Sequence, residues 1–108
     1  MGLLVAQMRL MYLHQQKSDL EYKIQLVTQA RMSLSQTVSE LVEVGNDYDP
    51  DSPTTKLLQQ RQAKLKVLES KLNHQMEEYQ IRLKMVETEE QSAKAMLDKN
   101  IQGAFTYG

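Results

Sequence analysis

Apolar side chains recur along the first half of the chain at Leu10, Leu13, Leu20, Ile24, Val27, Leu34, Val38 and Leu41, at spacings of three, four and seven residues. That repeat marks one face of an α-helix, and neither proline nor glycine interrupts it between Leu3 and Val44. Lys17 and Arg31 stand where the stripe skips. Their long stems can lie along an apolar seam while the charged ends stay wet, at some cost in packing and some gain in register. A second stripe runs through Leu58, Leu65, Leu68, Leu72, Met76, Tyr79, Leu83, Val86, Ala93 and Leu97, with Glu90 as its polar interruption. The steps from Leu65 through Leu68 and Leu72 to Met76 and Tyr79 add a four where a strict heptad has a three, which predicts a local hendecad and a straighter pair of helices.

Between the stripes lies Gly45-Asn-Asp-Tyr-Asp-Pro-Asp-Ser-Pro53, which holds both prolines and the densest run of turn formers in the chain. Gly45 suits a helix C-cap, Pro50 a turn, and Ser52 with Pro53 an N-cap followed by a first helical residue. The expected fold is therefore all-α: a long antiparallel two-helix hairpin, coiled-coil-like, with helices over about 3–44 and 54–102. It forms a single domain over residues 1–108, bent within 45–53, and Gly103 is expected to release a short tail over 103–108. If the bend centres near Asp49, residues whose numbers sum to about 99 face each other. Leu20 then lies near Tyr79, Leu13 near Val86 and Ala6 near Ala93. In that register the second helix overshoots the first, so Leu97, Ile101, Phe105 and Tyr107 lack an intramolecular cover.

Composition narrows the function classes. The chain has no cysteine, which excludes disulfides and thiolate metal sites. Its 13 basic and 14 acidic residues nearly cancel and are interspersed, so the clustered basic face that nucleic acid requires is missing. The apolar opening from Met1 to Met8 is broken by Gln7 and Arg9 long before the ~20 residues of a membrane span. It lacks a basic n-region and a clear cleavage site, and Ala6 stands where a myristoylation signal needs Ser or Thr. The expectation is a protein made in the cytoplasm which, if it reaches a surface or extracellular filament, leaves without a cleavable signal.

Catalytic, metal and cofactor chemistry find no foothold. His14 and His74 are too far apart in the hairpin to share a metal, and neither has an evident orienting partner. Asp47, Asp49 and Asp51 alternate like the start of a calcium loop, but Ser52 takes the place of its glycine and Leu58 that of its glutamate. Glu77-Glu78 and Glu89-Glu90 are adjacent on a helix, so neither pair faces across a cleft. Seven methionines are many for this length. Several lie just off the seams, which suits either adaptable intermolecular contacts or ordinary core filling.

Pro50-Asp-Ser-Pro53 followed by Leu57-Leu58 resembles the Pro-x-x-Pro turn and paired leucines of type III secretion needle subunits. Gln91-Ser92, Lys94, Asp98, Ile101-Gln102 and Phe105 are similar to the polymerising C-terminal helix of that family. The resemblance covers about half the chain. It implies a hairpin that polymerises through its C-terminal helix and whose partners are copies of itself, together with other proteins of a secretion apparatus. The expected function is a self-assembling structural subunit, with Leu3, Leu4, Met8, Met11, Leu97, Ile101, Phe105 and Tyr107 as contacts between copies. The alternative is a coiled-coil adaptor or export chaperone that binds a different protein.

Overall fold

A computed structural model describes the backbone of residues 2–107 and the side chains of residues 2–103. It contains two helices, α1 (Gly2–Asn46) and α2 (Pro53–Tyr107), and no strand among the described residues. Packing divides the chain into two units, one formed by Met1–Ile24 with Tyr79–Gly108 and the other by Gln25–Glu78. Each contains a segment of α1 running antiparallel to a segment of α2, so the helical hairpin expected from the two stripes is present.

Along α1 the buried leucines and valine are Leu13, Leu20, Val27 and Leu34, spaced by seven, and Leu13 is only 2% exposed. Leu10, Ile24, Val38 and Leu41 are half-buried beside them. This is the a/d pattern of a coiled-coil seam: both sets of positions return to the same face every two turns, and each must bury against the partner helix to leave water. On α2, where Asn73 and Glu87 are half-buried just off the seam, the covered seam positions between Leu58 and Leu97 are Leu58, Gln62, Leu65, Leu72, Met76, Tyr79, Leu83, Val86, Glu90, Ala93 and Leu97. They alternate steps of four and three, apart from one missing position at Glu69. Leu68 is 46% exposed and stands off the seam. The hendecad expected here is therefore absent, and the heptad continues past a polar gap. Leucine had made position 68 look like core, but the period of the helix carries it to the side.

The bend is shorter than the 45–53 expected. Gly45 remains inside the last turn of α1 without a positive φ, so it is not the left-handed cap that the sequence suggested. It is half-buried, and a Cβ there would stand 3.9 Å from a methyl of Leu58. The helix instead ends on three-residue closures, Asp47 N–H to Val44 O (3.2 Å) and Tyr48 N–H to Gly45 O (3.3 Å). Such bonds satisfy terminal carbonyls without a special residue. Pro50 lies in the turn that follows.

Ser52 is the N-cap of α2, as its position before Pro53 predicted. Its Oγ accepts the Thr55 N–H at 3.2 Å, and Thr55 Oγ1 donates to Asp49 O, so Ser52 Oγ is left to donate to Thr55 Oγ1 at 2.9 Å. Asp51 N–H bonds to the Asp49 carboxylate at 3.2 Å, an Asx turn. Through these bonds the first turn of α2 packs on the bend. The register differs slightly from that of a symmetric bend: Gly2 meets Asn100, Lys23 meets Tyr79, Gly45 meets Leu58 and His14 meets Glu90. These partners' numbers add to 102, 102, 103 and 104, a few residues beyond the 99 of a symmetric bend. Leu20 and Val86 line one groove, and Ala6 and Ala93 share another, as expected.

Gly103 does not release a tail. α2 continues through it to Tyr107, again without a positive φ. A glycine inside a helix costs roughly 0.5–1 kcal/mol relative to alanine and stops the helix only where the backbone turns left-handed.

Two measurements check this description. Leu13→Ala should destabilise the protein by about 2–5 kcal/mol in thermal or denaturant melts followed by circular dichroism, whereas Leu68→Ala should cost less than about 1 kcal/mol. Gly103→Ala, whose Cβ would meet nothing within 4 Å, should raise the helical signal and stability by up to about 1 kcal/mol. A loss of helix on that change would place the helix end back at Gly103.

Candidate interaction surface

The unit formed by residues 1–24 and 79–108 carries the features that bear on function. At 3.6 residues per turn, Ala6, Leu10 and Leu13 face the seam, while Leu4, Met8, Met11 and Tyr12 fall on the opposite side of α1, with Val5 on the flank between. All five of the latter are well exposed. The first three turns of α1 are thus apolar on two sides, whereas a helix with one partner needs only one apolar stripe. Leu3 lies at the edge of the seam and is barely exposed. Tyr12 is on the surface with its hydroxyl accepting a hydrogen bond from Gln16 Nε2 at 2.7 Å.

Beside this face is an open apolar groove of about 320 Å³, lined by Gly2, Val5, Ala6 and Arg9 of α1 and by Ala93, Met96 and Asn100 of α2. It exists because small residues lie where the helices meet: Ala6 and Ala93 leave room, and a Cβ on Gly2 would stand 3.3 Å from the Asn100 amide. On α1 charge is scarce at this end, while α2 carries Lys94, Asp98 and Lys99 there. Arg9 is the sole charged residue before Lys17, and none follows Lys99.

Leu3, Leu4, Met8 and Met11, singled out from the sequence, are all surface residues. Leu97 and Ile101 are half-buried, with Leu97 occupying the next seam position after Ala93. In the observed register the far end of α1 reaches Asn100, so the overshoot begins later than the sequence suggested. The side chains of Phe105 and Tyr107 lie outside the described residues. Val5, Tyr12, Ile81 and Met96 are exposed apolar residues that the sequence reading passed over. The signal for Val5 and Tyr12 was present as a second stripe through Leu4, Met8 and Met11. Met96 needed the register to bring it beside Val5.

A second constellation sits within the seam. Glu90 is mostly buried, with Oε1 3.9 Å from Lys17 Nζ and Oε2 3.3 Å from His14 Nδ1. Oε2 is inaccessible to water and accepts no hydrogen bond of good geometry, so the carboxylate depends on these two electrostatic contacts. Lys23 Nζ stands 5.9 Å from the centre of the Tyr79 ring, within range of a cation–π attraction. His74 Nε2 lies 3.7 Å from Glu78 Oε1 on its own helix, an exposed pair of little energetic weight. Each histidine thus has its own carboxylate neighbour, where the sequence showed no orienting partner for either. Among the described residues no group of three His, Asp or Glu side chains is placed to hold a metal ion, and no helix is long and apolar enough to cross a membrane.

Lys17→Met alone removes the cation nearest a carboxylate that is already poorly satisfied, and should destabilise by about 1–3 kcal/mol. Lys17→Met with Glu90→Leu should recover that loss or exceed wild-type stability, because an apolar pair of similar volume avoids the desolvation of two charges. Melting curves of the three proteins decide this, and a double variant less stable than the single one contradicts it. Comparison with protein families, characterised proteins and solved structures found no match to this chain.

Proposed function

We propose that the protein is a structural subunit that self-assembles, the apolar outer face of α1 on one copy packing against a different apolar patch on the next. The observation that carries this reading is the exposed run Leu4, Met8, Met11 and Tyr12 on the side of α1 away from the seam, which Val5 joins to the groove. Eighteen large apolar side chains are exposed among the described residues, so the hairpin leaves much apolar surface wet. Contiguous apolar patches beyond a few hundred Å² are uncommon on monomers and mark surfaces that meet something.

A second copy suits this surface for two reasons. The formal net charge is only −1, so copies approach with little Coulomb repulsion. The apolar end also has two different surfaces, the outer face of α1 and the groove between the helices, which lets one copy's face seat in the next copy's groove. Such a head-to-tail contact does not close on itself and extends into a filament when the rotation permits. The resemblance of the bend and of residues 91–105 to type III needle subunits supports the same plan, with Leu97, Ile101, Phe105 and Tyr107 of the last helical turns adding to the contact. Export of such a subunit, and other proteins of a secretion apparatus as further partners, belong to this reading.

Electron microscopy and sedimentation velocity over a range of concentrations test it. The native chain should form filaments or large oligomers as concentration rises. Met8→Glu with Met11→Glu should raise the concentration required at least tenfold, equivalent to about 1.4 kcal/mol per contact, while the helical signal is retained. A native chain that stays monomeric throughout overturns the reading in favour of an adaptor or export chaperone for a different protein.

A further inference from the structure

The described methionines divide into two kinds. Met76 is 7% exposed in the seam, whereas Met8, Met11, Met32, Met85 and Met96 are between 58% and 71% exposed. With no cysteine in the chain, these thioethers are the side chains most readily oxidised. Their surroundings differ as well. Met8 and Met11 lie on the outer face of α1 among Leu4, Val5 and Tyr12, and Met96 forms the wall of the apolar groove opposite Val5. Met85 instead borders a groove with Asp19, Lys23, Arg82 and Glu89, and Met32 one with Arg31 and Glu69.

We propose that Met8, Met11 and Met96 form a peroxide-sensitive modification site, through which oxidation removes the apolar character of this face and groove without unfolding the hairpin. A hydroperoxide supplies the oxidant. The thioether sulfur attacks one peroxide oxygen, the O–O bond breaks as the S–O bond forms, and a proton passes to the departing oxygen. With hydrogen peroxide the products are methionine sulfoxide and water, the sulfur being oxidised and the peroxide reduced. The sulfoxide is polar and accepts hydrogen bonds, so a surface suited to apolar packing becomes one that holds water. The seam is spared because Met76 is shielded. At Met32 and Met85 the same chemistry adds polarity to surfaces that charged side chains already hydrate. A methionine sulfoxide reductase reverses the change, which makes it a switch and not only a lesion.

The effect on association rests on the self-assembly proposed above. It acts on the free subunit, since a copy already seated would cover these sulfurs.

The test treats the full chain with increasing hydrogen peroxide and follows four readouts: peptide mapping by mass spectrometry, far-UV circular dichroism, fluorescence of an apolar-surface dye, and sedimentation. Met8, Met11 and Met96 should be oxidised well before Met76, with helicity retained and dye fluorescence reduced. The concentration needed for assembly should rise at least about tenfold and return after reductase treatment. In the triple variant Met8→Leu, Met11→Leu, Met96→Leu, the ratio of that concentration with and without peroxide should stay near one. In Met32→Leu with Met85→Leu, it should change as in the native chain. Oxidation of Met76 in step with the others, loss of helicity on oxidation, or dye binding and sedimentation unaltered after full oxidation of the three each overturns the proposal. A chain that is monomeric before treatment sinks only the self-assembly reading, and the peptide map and dye binding then decide the site.

Discussion

The interlocking of two heptad stripes is the constraint from which the other features follow. Leu13, Leu20, Val27 and Leu34 return to one line of α1 every seven residues, and α2 supplies a matching line. Neither helix has much reason to persist in water alone, because propensity and hydrogen bonds leave isolated helices marginal and tertiary burial supplies most of their stability. The seam is narrow, however. Two helices cover only one face of each other, so a chain of this design leaves most of its circumference to solvent or to other molecules, whatever its sequence.

Against that background the polar residues within the seam have a clear cost and a clear use. Lys17, Gln62 and Glu90 occupy positions where an aliphatic side chain would bury more area, and the place of Glu69 is open to solvent. An all-apolar heptad seam is nearly indifferent to slipping by seven residues. Here such a slip would set Lys17 against Leu83 or Leu97 and take both Lys17 and His14 away from the Glu90 carboxylate, whose Oε2 is inaccessible to water. Unpaired charge in a seam costs more than a methylene gained, so the pair penalises wrong registers more than it stabilises the right one. The capping bonds at Ser52, Thr55 and Asp49 act on the same variable from the bend.

The apolar end is where the narrowness of the seam has its largest consequence. Small residues at Gly2, Ala6 and Ala93 open a groove, α1 carries no charged side chain but Arg9 before Lys17, and the outer side of α1 becomes apolar within the same few turns. Each feature alone is ordinary, since single exposed hydrophobic residues are common on any protein surface. Their coincidence in one short stretch is what a seat for another helix requires. The choice of methionine for much of that surface adds adaptability to the contact and exposes it to oxidation.

What the sequence by itself determined is the part that depends on local chemistry and on period. Two helices, their faces, Ser52 as cap and Pro53 as first helical residue all follow from residue type and spacing. Burial at Leu13, Leu20, Val27 and Leu34 was legible because 3.6 residues per turn converts spacing into a face. What only the tertiary structure decided is the part that depends on the other helix. The register lies a few residues beyond that of a symmetric bend, and the first turn of α2 is tied to the bend through Thr55 and Asp49, an interaction between groups that no periodicity links. Leu68 left the seam because the partner line runs past it, and Gly45 and Gly103 stayed helical because no left-handed turn was asked of them. The groove between Val5 and Met96 joins residues about ninety positions apart, and their proximity exists only once that register is set.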